Sequence, residues 1–190
     1  MKRLVLLFFT AFLLIATTAM ASTMFDFTYS GIDSVTAETV SGSGYLWANS
    51  NGDGSWTATS GVSSAYLNTT DLGGPFNLYP ITASTAPNSP SGLFTYDNLI
   101  YPLASPSLDY QGGLLFINAS GSELNIFCWP NSSAISVWTE PGSNTIDGYG
   151  GYNVGADNDV TFTLTEVPEP STLLLLGAGL LGLAATRRKS

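Results

Sequence analysis

Met24-Phe25-Asp26-Phe27-Thr28-Tyr29 alternates large apolar side chains with small or polar ones. A period of two sets Phe25, Phe27 and Tyr29 on one face of a β-strand and leaves the other face polar. Ser30-Gly31 ends the run, and the chain beyond repeats the pattern in short β-prone pieces punctuated by glycine and proline. Val35–Val40 predicts a second strand, and Gly42-Ser43-Gly44 reads as a break before Tyr45-Leu46-Trp47-Ala48. Asn49-Ser50-Asn51-Gly52-Asp53-Gly54 predicts a hairpin turn, with Trp56–Thr59 as the returning strand. The stretch from Thr82 to Gly92, with Pro87 and Pro90, reads as a surface loop. Leu93–Tyr96, Asn98–Tyr101, Gly113–Ile117 and Leu124–Phe127 carry the densest apolar content and are expected in the middle of the core, while Ala134–Trp138 and Val160–Leu164 close the sheet.

No helical period competes with roughly eight to eleven short strands at the ~8–12 residue spacing of a sandwich or barrel. The expected fold is all-β: an antiparallel β-sandwich, with a closed β-barrel as the alternative, because strand periodicity does not separate two packed sheets from one rolled sheet. The chain has 190 residues. That leaves room for one folded domain of about 150 residues between processed ends, enough for a single core.

Those ends are distinct in chemistry. Met1–Ala21 has a basic start at Lys2-Arg3, an apolar stretch from Leu4 to Ala16, and small residues Ala19 and Ala21 framing Met20. This is the pattern of a secretory signal peptide, with Ala19 and Ala21 directing signal peptidase to cut before Ser22. The domain, residues 22–166, is therefore expected outside the cytoplasm. All five basic residues lie at the ends (Lys2, Arg3, Arg187, Arg188, Lys189), so none of the fourteen acids finds an ion-pair partner within the domain. A surface with only negative side chains repels phosphate backbones, which excludes nucleic acid as a partner.

Histidine is absent. With it go the usual general base near neutral pH and the commonest transition-metal ligand. Cys128 is the sole cysteine and, without a cationic neighbour to lower its pKa, reads as a small buried hydrophobe rather than a nucleophile. Carboxylates are numerous, yet no spacing singles out the facing pair that glycoside hydrolysis needs; they read as solvent-facing, and no catalytic residue is assigned. Asn51–Gly54 and Asp157-Asn158-Asp159 are oxygen-rich tracts able to hold calcium, with turn formation the leading reading and no metal ligand assigned. Trp47, Trp56, Trp129, Trp138, Tyr149 and Tyr152 offer stacking surfaces for sugar rings if they face outward, although most are expected in the core. Asn68, Asn118 and Asn131 begin Asn-x-Ser/Thr triplets.

The last twenty-four residues run Val167-Pro168-Glu169-Pro170-Ser171-Thr172, then a leucine- and glycine-rich span, then Arg187-Arg188-Lys189. Residues 172–186 would make a transmembrane helix about 22 Å long, short of the roughly 30 Å hydrocarbon core but extendable by its flanks. The three basic residues act as a stop on the cytoplasmic side. Segment 167–190 resembles a PEP-CTERM sorting signal. The resemblance implies export by Gram-negative bacteria that make extracellular polysaccharide, and recognition by an exosortase, a membrane-embedded cysteine protease. It also implies that Pro168, Glu169 and Pro170 form the recognition element, with cleavage nearby. A Pro-x-Pro step fits that role physically, since it holds Glu169 extended and stops the helix from growing outward. The body resembles other proteins bearing such a tail through Asp97-Asn98-Leu99-Ile100-Tyr101-Pro102 and Leu108–Gly113, with no active site implied.

The expected protein is thus a non-enzymatic, exported component of the cell envelope or biofilm matrix. It is membrane-anchored until its tail is processed and is associated with extracellular polysaccharide. A carbohydrate- or calcium-binding module is the alternative, and a carboxylate-based hydrolase the third reading.

Overall fold

The opening stretch does what its period requires: β1 (Thr23–Ile32) buries Phe25, Phe27 and Tyr29 and exposes Asp26, Thr28 and Ser30. The computed structural model describes residues 22–32, 37, 39–81, 88–105, 107, 108, 112–128, 135–140, 154–168 and 179. After β1 come β2 (Thr39–Ser50), β3 (Trp56–Ser63), β4 (Tyr66–Leu67), β5 (Thr70–Asp71) and β6 (Phe76–Leu78). The chain continues through β7 (Leu99–Ile100), β8 (Leu114–Ile117), β9 (Glu123–Cys128), β10 (Ile135–Glu140) and β11 (Val154–Val167). Every pairing is antiparallel, and eight strands close a ring in the order β1-β2-β3-β6-β8-β9-β10-β11, with β11 returning to β1. β4 and β5 extend the second edge of β2, and β7 extends β3.

The all-β expectation holds, and of its two architectures the molecule adopts the closed barrel rather than the sandwich. The glycine tract that reads in sequence as a break is part of the closed wall. Thr39 to Ser50 is one unbroken strand, paired to β1 along its length, with Phe27 opposite Gly44 and Tyr29 opposite Gly42. Each aromatic ring lies over the glycine facing it. A Cβ on Gly44 would collide with the Phe27 ring and the Val62 carbonyl, and one on Gly42 with the Tyr29 phenol and the Ser64 carbonyl. Missing side chains at these two sites leave the space that the Phe27 and Tyr29 rings occupy, a close approach that only glycine allows. The ladder from β2 to β3 also slips between Trp47 and Ala48, a bulge that adds twist. The turn between these strands forms where expected, with Asn51 N–H donating to the Ser55 carbonyl at 3.0 Å.

Phe27 occupies the middle of the barrel, 5.8 Å from the Phe116 ring on the opposite wall and 5.9 Å from Phe162 on β11. Leu46, Ile126, Val137 and Cys128 fill the space around it. Cys128 is buried in that core, as its surroundings in sequence suggest.

A second buried layer lies outside the ring. Leu93–Tyr96, expected as a core strand, lies in the long excursion between β6 and β8, with only an isolated bridge from Thr95 to Asn88. Leu93 is 64% exposed, but Tyr96 is buried, and so are Leu115, Glu123 and Asn125, which point away from the barrel interior on β8 and β9. The excursion is the roof over that wall.

Candidate functional site

Three places in the fold bear on function: the pole where the chain enters and leaves the barrel, the exposed outer face beside it, and the roofed wall opposite.

At the pole, Met24 pairs with Val167 and Phe25 with Glu166. Ser22, which precedes β1, and Pro168, the first proline of the tail, therefore leave adjacent strands at the same end. Pro168 is exposed. Glu169 and Pro170 of the expected recognition element lie outside the described residues, as do Ala19 and Ala21 and the basic stop Arg187, Arg188 and Lys189. Of the expected transmembrane helix only Gly179 is described; among the described residues no helix is long and apolar enough to cross a membrane.

On the outer face of β1 and β2, Trp47 lies beside Met24, and Tyr45 beside Asp26. Both aromatics are exposed, Trp47 at 36% of its surface, which for so large a ring is a substantial patch. Being two residues apart on one strand, they share a face, with the hydroxyl residues Ser43, Ser60 and Thr28 on neighbouring positions. Trp56, by contrast, belongs to the core and meets Phe25 edge to face at 5.3 Å. Trp138 is half-buried, while Trp129, Tyr149 and Tyr152 lie outside the described residues.

The roofed wall holds polar groups that the sequence gives no sign of burying. Glu123 is 2% exposed, and its two carboxylate oxygens accept from the Ser91 backbone N–H and hydroxyl, each at 2.7 Å. That corrects the reading of the carboxylates as uniformly solvent-facing. Asn98, fully buried in the left-handed region at φ 52°, donates from Nδ2 to the Tyr79 carbonyl at 2.8 Å and accepts the Leu115 N–H at 3.2 Å. Its carbonyl accepts from Ala58 N–H, so one side chain and its backbone tie the excursion to β3 and β8. Tyr96 donates to the Pro80 carbonyl at 3.2 Å and packs edge to face on Tyr79. Burial raises its phenol pKa, with Tyr79 and Glu123 adding to the effect. These groups are already engaged with one another, so the arrangement works as a clasp holding the roof down.

The oxygen-rich turn is also self-satisfied. Asp53 accepts from the Ser55 hydroxyl at 2.6 Å and from the Ser55 N–H at 2.9 Å, bonds that hold its carboxyl below the usual range. Asp157–Asp159 lie within β11 rather than in a turn, at a ladder irregularity opposite Ser136; their side chains are outside the described residues. Among the described residues no group of three or more His, Cys, Asp or Glu is placed to hold a metal ion. Asn118 is spent on structure: its Oδ1 accepts from the N–H groups of Ser120 and Ser122, and its Nδ2 donates to the Gly73 carbonyl at 2.9 Å. Asn68 likewise accepts the Thr39 N–H, and Asn131 lies outside the described residues.

The fold and its pole define a closed β-barrel whose final wall strand runs directly into a processing segment. Residues 166–189 match the model of the PEP-CTERM protein-sorting motif, at the C-terminus of the chain. The protein is thus an exported one, sorted and processed at the membrane by an exosortase and directed to the cell surface. No curated protein and no solved structure matches the chain.

Proposed function

We propose that the mature protein is a non-enzymatic component of the cell surface or extracellular matrix, associated with exopolysaccharide or biofilm, and that Pro168, Glu169 and Pro170 are the element exosortase reads. The observation that carries the reading is the sorting motif at residues 166–189, continuous with the last wall of the barrel. The non-enzymatic role rests on a body without His, Lys or Arg, and it needs no cofactor. Signal peptidase acts at Ala19 and Ala21, the membrane holds the precursor through residues 172–186, and Arg187, Arg188 and Lys189 stay on the cytoplasmic side. Replacing Glu169 by Ala in a host that makes the exosortase should leave a tail-bearing precursor in the membrane and remove the protein from the surface. Normal maturation of that variant would overturn the reading.

A specific observation favours a second role for the same exported barrel. Trp47 and Tyr45 form an exposed aromatic pair on a face lined by hydroxyls, the kind of platform on which sugar rings stack. Retention of the wild type on polysaccharide beads, lost in the Trp47→Ala and Tyr45→Ala variants, would support carbohydrate binding. Equal passage of all three would sink it.

A further inference from the structure

The sorting motif does not begin after the barrel; it begins inside its wall. Residues 166 and 167, the first two of the motif, are rungs of the β1–β11 ladder, opposite Phe25 and Met24. From Pro168 to Ser171 only four residues separate the ladder from the transmembrane helix expected at 172–186. Fully extended, four residues span no more than about 14 Å. A membrane protease that reads Pro168-Glu169-Pro170 must therefore work within that gap beneath a folded barrel. Proteases take substrates as extended chain and use main-chain hydrogen bonds to do so, and the backbone of Glu166 and Val167 is already committed to β1.

The grip of β11 on the barrel fades in the direction of the motif. At its inward-facing positions Val160 is buried, Phe162 and Leu164 are partly buried, and Glu166 is exposed. On β1 the pattern does not fade: Phe25, at the same end, is fully buried against Trp56. Among the described residues, β11 beyond Val160 is paired only to β1. Its last rungs can thus open without withdrawing a fully buried side chain of their own while β1 stays in place, a local opening from the low-stability end of the fold.

We propose that the Glu166–Phe25 and Val167–Met24 rungs limit exosortase processing, and that the end of β11 must unpair from β1 before the enzyme engages the motif. Met24 and Val167 are positioning residues in this scheme. The proposal rests on the reading of this chain as an exosortase substrate. It makes the folded state of the barrel, and not the motif alone, a determinant of how fast the tail is removed.

The test uses the full-length folded precursor reconstituted in membranes with an exosortase, with tail removal followed by mass. A Met24→Cys/Val167→Cys variant places two cysteines at facing ladder positions, at a separation that suits a disulfide. Cys128 is buried and does not compete. The precursor is oxidised and cleared of oxidant before the enzyme is added: the variant should then resist processing while identically treated wild type is cleaved, and reduction of the variant should restore its cleavage, which separates locking of the seam both from misfolding and from oxidation of the protease's own cysteine. A flexible Gly-Ser insertion between Val167 and Pro168 should speed processing, because the motif then clears the wall. Processing of the oxidised variant at the rate of its reduced form, or an insertion without effect, overturns the proposal. If the wild type is not processed while a known substrate is, the substrate reading itself has failed, a result distinct from either.

Discussion

The wall formed by β11, β1 and β2 and the wall formed by β8 and β9 share one strand chemistry but differ in what lies outside them. On the first, alternation separates core from solvent: Phe25, Phe27 and Tyr29 inward, Asp26, Thr28 and Ser30 outward and wet. On the second, Glu123-Leu124-Asn125-Ile126 alternates just as cleanly, yet all four residues are buried. The outward face there meets the excursion after β6 instead of water. A polar residue at an outward position is thus a surface group on one wall and, as Glu123 shows, a buried, hydrogen-bonded fastener on the other. The first wall also carries the entrance and exit of the chain and the exposed aromatics, so the side facing solvent is the side available for processing and binding.

The largest effect should come from unfastening the roof. Asn98→Ala removes two side-chain bonds and leaves the Tyr79 carbonyl and Leu115 N–H without them, which should cost about 3 kcal/mol of unfolding free energy in urea titration. If the loss were below about 1 kcal/mol, an ordinary surface value, the roof would not be a structural layer.

Next in size is a break in the wet wall. Gly44→Ala drives a methyl group into Phe27 and the Val62 carbonyl and should cost about 2 kcal/mol by overpacking. Phe27→Leu in the same background should recover part of that loss in thermal melts if the ring is the obstacle.

A third expectation concerns alkaline pH. Tyr29 donates to the Ser64 carbonyl at 2.7 Å, and burial pushes its phenol pKa up, opposed in part by a Ser63 hydrogen bond. Because the folded value lies above the unfolded value of about 10, Tyr29's contribution is complete below that pH and is lost as pH rises toward the folded pKa. Stability should fall above pH ~10 by up to about 1.4 kcal/mol per pH unit from this group. Tyr29→Phe should flatten that part of the profile. An unchanged slope would place the sensitivity elsewhere. Asp53 acts at the other extreme and more weakly: its carboxyl is held low by Ser55, so its contribution is present above the unfolded carboxylate pKa and disappears as pH falls through the folded one. Asp53→Asn should blunt the acid sensitivity of the first hairpin, read by amide exchange at Asn51 and Ser55.

The smallest stability change belongs to Trp47→Ala, which should shift unfolding by less than about 1 kcal/mol because the ring is outside the core. It is the variant with which to read polysaccharide retention free of folding effects.

Much of this molecule is legible in its sequence where one strand faces water. β1, the turn after β2, the inward position of Cys128 and the sorting motif all follow from local pattern. The glycine tract 42–44 misleads because glycine signals a break in isolation, while its role here depends on Phe27 and Tyr29 arriving from another strand. Glu123 is missed for the same kind of reason, since its partner Ser91 is 32 residues away. Asp97–Pro102, conspicuous in sequence but without an assigned role, proves to be the segment that anchors the roof through Asn98.

The all-β class, the acidic body and the sorting motif can be read along the chain, because side-chain period, charge and a linear motif are properties of neighbouring residues. That the sheet closes, which carboxylate is buried, and that the motif starts within a paired strand emerge from the folded molecule alone. Those features depend on which distant segments meet, and a period of two along one strand carries no information about what packs against either of its faces.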